Sequence, residues 1–350
     1  MKQRKEIEVF LKDALSQSGR IILTGAGTSA YIGLSLKGFF QERTGLLTEA
    51  IATTDIVSHP SSYFISSSPL LMVSFARSGD SPESVEALKL ADELTDTCFH
   101  LVITCNSEGG LAAYQSKSHK YVINLPDEAN DRSLAMTSSY SSMLLVGLLI
   151  AGMQDIDVLK KDVLTVAYYA QRFIETHAGD IRKLATLNFK RAVFLGGGPF
   201  FGTATEAQLK LQELTDGKVI SKNDTYLGFR HGPKSVTDET TLVMYFFSQQ
   251  HRHAFNYEKD LVKSMHKGIP PLIEVGISET MLPGIELHEV YAFGDDTMLV
   301  EEEVLLTLCY IIPAQMLGFF KSIEMGLAPD QPSDSNAITR VVEGVQIYEI

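Results

Sequence analysis

Apolar residues along this chain come in short unbroken runs separated by longer mixed stretches. The runs Arg20-Ile21-Ile22-Leu23-Thr24, Leu70–Phe75, Cys98–Thr104 and Tyr121–Leu125 read as buried strands. Between them lie mixed stretches of helical character: one from the Gly25–Ser29 loop through Gly38 to Glu42, one over Pro82–Leu94, and a long one over Asp131–Met153. Strands alternating with helices at this spacing predict parallel βαβ units. The pattern then restarts. Lys160–His177 reads as a connecting helix, and Arg191–Leu195 as a strand ending in Gly196-Gly197-Gly198. A helix follows over Gly202–Thr215, with Gly217 as its C-terminal cap. Thr241–Phe247 and Pro271–Ile277 read as strands, and Thr297–Met325 as a long apolar helix.

Strand, glycine loop and helix therefore occur twice, at Gly25 and at Gly196, which predicts two similar α/β halves. The expected boundaries are an N-terminal helix over 1–19, a first domain over 20–154, a connecting helix over 155–180, a second domain over 181–328 and a tail over 329–350. The tail is rich in Pro, Ser, Asp and Asn before turning apolar at Val341-Val342. It reads either as a loose end or as a segment packed over a site.

The most informative polar stretch is Ser74-Phe75-Ala76-Arg77-Ser78-Gly79-Asp80-Ser81-Pro82-Glu83-Ser84, between a strand end and a helix start. The first N–H groups of a helix lack intrahelical partners and sit at the positive end of its dipole. Serine hydroxyls and one arginine added there suit a small anion such as phosphate. Ser81 followed by Pro82 also fits a cap and first helical position, so a plain capping role is the alternative. The loop after the preceding strand, Gly25-Ala26-Gly27-Thr28-Ser29-Ala30, fits a loose dinucleotide fingerprint, with Glu49 or Asp55 placed for a ribose. A dinucleotide would not explain the second hydroxyl-rich loop. Two loops at neighbouring strand ends would share one crevice, with Ser29, Arg77, Ser78 and Ser81 around a single phosphate.

In the second half, Glu206, Lys210 and Glu213 fall on one helical stripe, while Leu209, Leu211 and Leu214 point elsewhere. Such a stripe is commonly a solvated face. Its place after a strand-end glycine loop instead suggests a carboxylate poised as a base beside an ammonium. His231, in Gly228-Phe229-Arg230-His231-Gly232-Pro233-Lys234, sits in a loop and could move a proton near neutral pH. The loop after the second strand of this half, Ser248-Gln249-Gln250-His251-Arg252, lacks the serine cluster, which assigns the anion site to the first half. His251 and His253 are too sparse for a metal site and read as surface residues.

Bulk properties narrow the classes. The formal net charge of −13 argues against nucleic acid or an anionic membrane as partner, though not against a small phosphorylated ligand. The three cysteines, Cys98, Cys105 and Cys309, show no metal or paired spacing and suit a reducing cytosol. The longest strongly apolar run, Met143–Met153, is too short to span a bilayer, and no signal core follows the basic N-terminus. The expectation is a soluble cytoplasmic protein that uses no cofactor and no metal.

Taken in order, Gly27-Thr28-Ser29, Arg77-Ser78-Gly79-Asp80-Ser81, Leu209-Lys210-Leu211-Gln212-Glu213 and His231-Gly232-Pro233 resemble the double sugar isomerase (SIS) architecture, as in the isomerase half of glucosamine-6-phosphate synthase. The likeness is closer to the galactosamine-6-phosphate deaminase / tagatose-6-phosphate ketose–aldose isomerase family. It is carried by Ile21–Ala30, Ala135-Met136-Thr137-Ser138-Ser139, Gly228–Ser235 and the tail around Arg340. The resemblance implies two tandem SIS domains, each a parallel sheet flanked by helices in a flavodoxin-like three-layer sandwich. It implies that Ser29, Ser78 and Ser81 hold a sugar phosphate with Gly27, Thr28 and Arg77 around it, and that Thr137, with Ser138, touches the sugar. Glu213 would shuttle a proton between C1 and C2 with Lys210 beside it. His231 would assist ring opening from a neighbouring subunit, in a homodimer or a dimer of dimers.

Three departures from the synthase matter. Ala76-Arg77 replaces Ser-Gln, exchanging a hydroxyl for a cation. The synthase's imine-forming tail lysine falls near Ala337, and no Lys follows Lys321. The chain is also expected to lack a glutaminase domain, which fits chemistry run in the ammonia-releasing direction. The activity implied is deamination of galactosamine 6-phosphate to tagatose 6-phosphate. Plain ketose–aldose isomerisation, deglycation of a phosphorylated sugar–amine adduct and a non-catalytic sugar-phosphate sensor are the alternatives.

Overall fold

A computed structural model describes residues 2–295, 298–334, 336–342 and 344–349; the start expected for the last helix, Thr297, and Glu343 of the tail lie outside the described residues. The chain divides into two compact units, the first comprising Met1–Arg132, Met136–Gln154 and Ile338–Ile350, the second Ser133–Ala135 and Asp155–Ala337.

In the first unit the elements run α1 (Lys2–Gln17), β1 (Arg20–Thr24), α2 (Thr28–Thr44), β2 (Leu47–Ala50), α3 (Thr53–Ser58), β3 (Leu70–Ala76), α4 (Pro82–Leu94), β4 (Cys98–Thr104), α5 (Gly110–Ala113), β5 (His119–Asn124) and α6 (Ser138–Ala151). The second continues with α7 (Ile156–Thr186), β6 (Arg191–Gly196), α8 (Phe200–Leu214), β7 (Ile220–Asp224), α9 (Tyr226–Phe229), β8 (Thr241–Phe246), α10 (Arg252–Met265), β9 (Ile273–Ser278), β10 (Glu289–Ala292), α11 (Thr307–Tyr310) and α12 (Ile312–Glu324).

Each unit holds one parallel sheet. The first is ordered β2-β1-β3-β4-β5 and the second, read from its far edge, β7-β6-β8-β9-β10. Both are the same 2-1-3-4-5 order, in which ligands bind where the connections diverge between the first and third strands. The central strands β3, β4 and β8 are buried along their whole length, which is why they read as unbroken apolar runs. In the first unit Ile22 and Met72 pack on one face with Ile56 of α3 and Ala87, Leu88 and Ala91 of α4. Phe75 points to the other face, where Gly147 of α6 lets Leu36 of α2 approach closely. In the second unit Val193, Val243 and Tyr245 pack with Leu261, Val262 and Met265 of α10, while Phe200 of α8 stacks on Tyr310 with ring centroids 4.9 Å apart.

Several expectations are corrected. The helix expected over Asp131–Met153 begins only at Ser138, because Asp131 lies in the preceding loop and caps it. The connector is longer than Lys160–His177, running Ile156–Thr186. The last apolar stretch is not one helix: a 3-10 turn over Glu303–Leu306 leads into α11 and then α12, and Pro313 sits in the first turn of α12, where a missing N–H breaks no helical bond. Met143–Met153 falls in α6 and the turn just after it, and a longer helical stretch of apolar character is built from that 3-10 turn, α11 and α12 together. Glu303–Glu324 has 22 residues, length and composition enough to cross a membrane, but 67% of its apolar window is buried inside the protein, as in a core helix.

Candidate active site

The glycine loops are built alike in the two units. A side chain on Gly25 would stand 2.7 Å from Ser29 Cβ, and one on Gly196 would stand 2.2 Å from the Phe200 carbonyl oxygen. Each glycine thus lets the first turn of the next helix fold back over the strand end. Two residues on, Gly27 and Gly198 both take left-handed backbone, with φ of 54° and 53°. The sequence repeat is therefore a repeat of geometry.

In the first unit Thr24 of β1 pairs with Ser74 of β3. Adjacent strands lie about 4.8 Å apart, so the loop carrying Gly27, Thr28 and Ser29 emerges beside the loop carrying Arg77, Ser78 and Ser81. Thr28, Ser29 and Arg77 are buried, whereas Ser78 and Ser81 are partly open. The second loop is braced rather than slack. Asn106 Nδ2 donates to the Ser78 carbonyl at 2.8 Å, the Leu111 amide donates to the Gly79 carbonyl at 2.8 Å, and the Gly110 amide donates to Asp80 Oδ1 at 2.9 Å. Gly79 has a φ of 71° and packs against this bracing segment.

Ser81 occupies the cap position and Pro82 the first helical turn, as expected, but the Ser81 hydroxyl makes no cap bond. It donates to Glu83 Oε2 at 2.8 Å instead. The Ser81 side chain thus leaves the N-terminus of α4 uncapped, and the positive end of the helix keeps its pull on an anion. Arg77 turns one guanidinium nitrogen toward the tail, donating from Nη2 to the Arg340 carbonyl at 2.6 Å.

The start of α6 is organised by Asp131, which the sequence reading had inside the helix. Its carboxylate accepts from the amides of Thr137, Ser138 and Ser139 at 3.0, 2.9 and 2.9 Å, and from the hydroxyls of Thr137 and Ser139 at 2.8 and 2.5 Å. Burial works against its ionisation, but these bonds, led by Ser139, hold the carboxyl below its ordinary range. The Thr137 hydroxyl has its proton committed to Asp131 and offers lone pairs to a ligand. Ser138 is exposed beside it.

In the second unit the polar stripe of α8 is not a solvated face. Lys210 is 1% exposed between Glu206, 0% exposed, and Glu213, 20% exposed. Lys210 Nζ lies 2.5 Å from Glu213 Oε2 and 3.4 Å from Glu206 Oε1. Burial works to lower the pKa of this amine, but the two carboxylates outweigh it and raise its pKa. Leu211 and Leu214 are buried on the core side as expected, while Leu209 is only half-buried. The His231 loop is set by Thr225, whose Oγ1 accepts the Gly228 amide at 3.0 Å, and by Gly232 with a φ of 112°. His231 itself is exposed.

The loop after β8 corresponds to the serine-rich loop after β3 and is filled differently. The Ser248 amide donates to Glu258 Oε2 at 2.9 Å and the Gln250 amide to Glu303 Oε1 at 2.8 Å. Built-in carboxylates thus take the loop amides, in keeping with the assignment of the anion site to the first half. His251 and His253 are exposed. A cavity of about 820 Å³ in this unit is lined by Arg172, Gln249, Thr280 and Asp295 among others, and by neither Lys210, Glu213 nor His231.

The cysteines are poor nucleophiles here. Burial raises the thiols of Cys98 and Cys309 well above their ordinary range and pushes Cys105 up to about 11. Glu49 accepts from Arg20 Nη1 at 3.3 Å, at the end of β1 opposite the glycine loop, and so reaches away from the place a ribose would take. Sequence reasoning missed Asp131, and it quoted Glu206 and Arg340 without giving them a role. For Asp131 the readable signal was an acid shortly before a Thr-Ser-Ser helix start.

Comparison with known proteins defines the class first: a family model for the SIS domain matches residues 14–153. The D-galactosamine-6-phosphate deaminase AgaS of Shewanella sp. (strain ANA-3) is 42% identical over 334 residues, 94% of this chain and 81% of that one. The protein of the same name from Escherichia coli O157:H7 is 37% identical over 349 residues, 97% of this chain and 88% of that one. The crystal structure of tagatose-6-phosphate ketose/aldose isomerase from Escherichia coli superposes with a TM-score of 0.88 at 33% identity, covering 99% of this chain and 90% of that one. The chain belongs to the galactosamine-6-phosphate deaminase family of SIS-domain proteins.

Proposed function

We propose that this protein deaminates and isomerises an amino-sugar phosphate, converting galactosamine 6-phosphate and water to tagatose 6-phosphate and ammonia. The observation that carries the reading is the buried Lys210–Glu213 pair on α8, a carboxylate held by an ammonium yet 20% exposed to a ligand. The names of the two deaminase relatives support the substrate class.

In the first unit, Ser29, Ser78, Ser81 and Arg77, with the backbone of Gly27 and Thr28, hold the phosphate. Thr137 and Ser138 meet the sugar. In the second, His231 assists ring opening and Glu213 takes the C2 proton of the open-chain aldehyde while the C1 oxygen gains one. Glu213 returns the proton to C1, leaving a C2 imine. Water adds at C2, the C–N bond breaks and ammonia leaves, so no oxidant or cofactor enters the balance. With Ala337 near the place of the synthase's tail lysine, and no Lys after Lys321, the tail offers no amine for an enzyme-bound imine. We place the protein in the cytoplasm as a homodimer or dimer of dimers; the exposed ring of His231 suits action across subunits.

The test is ammonia release from galactosamine 6-phosphate and glucosamine 6-phosphate, with Glu213→Gln as control. The variant is expected to lose roughly 10²–10⁴ in rate, the usual worth of a positioned general base. The name of the Escherichia coli structural neighbour favours plain tagatose 6-phosphate isomerisation as the second reading. Absence of ammonia from either amino sugar, with interconversion of the ketose and aldose phosphates, would select it.

A further inference from the structure

The geometry points to Arg340 as a positioning residue of the phosphate-binding half-site, an inference that rests on the sugar-phosphate reading above. Its side chain reaches the loop before α6: Nε donates to the Asp131 carbonyl at 3.1 Å, and Nη2 donates to Asn130 Oδ1 at 3.0 Å and again to the Asp131 carbonyl. Its own carbonyl accepts from Arg77 Nη2 at 2.6 Å. The neighbouring Thr339 hydroxyl donates to the Val341 carbonyl at 2.6 Å, holding the tail in a turn at this point. One residue therefore grips two segments that carry expected ligand groups, the Arg77–Ser81 loop and the Asp131 loop. Asp131 in turn fixes Thr137 and Ser138 through its carboxylate.

The residue type suits the task. A guanidinium has five donors in a rigid fork and remains charged, so it can serve a carbonyl and an amide oxygen together. An ammonium could serve them only as a point charge. No Lys follows Lys321 in the sequence, so Arg340 is the cation that the tail brings to this place. Its side chain is engaged by Asn130 and the Asp131 carbonyl. Its effect falls on the affinity for phosphate and not on the proton transfer at C1 and C2.

The experiment compares full-length wild type, Arg340→Ala and Arg340→Lys in two assays: calorimetric titration with inorganic phosphate and steady-state kinetics with galactosamine 6-phosphate. Losing charge-assisted bonds should weaken phosphate binding and raise KM together by roughly tenfold in Arg340→Ala, with kcat within about threefold of wild type. Arg340→Lys should fall between. Unchanged phosphate affinity in Arg340→Ala, or a fall in kcat at unchanged KM, overturns the proposal. So does a large loss of melting temperature in both variants, which would make the residue merely structural. Failure of wild type itself to bind either phosphate compound would instead sink the sugar-phosphate reading, and this inference with it.

Discussion

Lys210 is a fully buried ammonium whose two carboxylate neighbours sit one turn away on either side of it. Removing such a cation breaks a buried ion pair with Glu206, which typically costs about 3–5 kcal/mol. Lys210→Met should therefore lower the urea midpoint strongly, and the double variant Lys210→Met/Glu206→Gln should recover part of the loss. Equal stability of Lys210→Met and wild type would show that the pair is not held in a low-dielectric setting. The spacing of Glu206, Lys210 and Glu213 was legible in the sequence, because a helix puts such positions on one stripe. Their burial was not legible. Whether a charged stripe meets water or protein depends on what packs over it, here the close approach of Gly318 of α12 to Leu214 and the Lys210 carbonyl. Likewise Ser81 could be read as a cap, but its preference for Glu83 over the backbone is a choice of rotamer that spacing does not encode.

At the scale of elements, Asp131 illustrates how one side chain sets a helix boundary. Its carboxylate takes three amides and two hydroxyls at the head of α6. Asp131→Ala should destabilise the protein by about 1–3 kcal/mol through the lost cap and unpaired donors. It should also raise KM through Thr137, while Asp131→Asn, which keeps part of the cap, should sit between. A variant that melts like wild type would refute this assignment. The central strands and the glycine loops were readable because buried parallel strands have to be apolar throughout. The strands that sequence reading missed, β2, β7 and β10, all lie at sheet edges, are short and carry polar residues such as Thr48, Lys222 and Glu289. The helix α10 was missed for a related reason, since its buried face is only Glu258, Leu261, Val262 and Met265. Edge elements bury one side, and their apolar signal drops accordingly.

For the whole molecule the buried carboxyls of the second unit shape how stability follows pH. Burial, reinforced by Glu303, pushes the Glu258 carboxyl up to about 8. Tyr226 and Tyr310 also face it and stay protonated across this range, their hydroxyls raised first by their own burial. A carboxyl with a raised folded-state pKa holds its proton more tightly folded than unfolded, so ionising it removes stability. The melting temperature should fall as pH rises from about 5 to 8, and Glu258→Gln should flatten that slope. Identical slopes in both proteins would remove Glu258 as the cause. Asp131 acts in the opposite sense: its lowered pKa gives stability that is present at neutral pH and lost on acidification below about 4.

The tail's return to the first unit bears on how the protein is made. The segment from Ile338 belongs with a unit whose sheet and helices are otherwise finished by Gln154. A ribosome adding about 5–20 residues per second needs on the order of ten seconds or more to cover the intervening second unit. During that interval the newborn first unit has its serine loop but not Arg340 to hold it. The loop is therefore fastened only once Arg340 has been added, and a chain cut short before that residue would carry an assembled sheet with an unfastened loop.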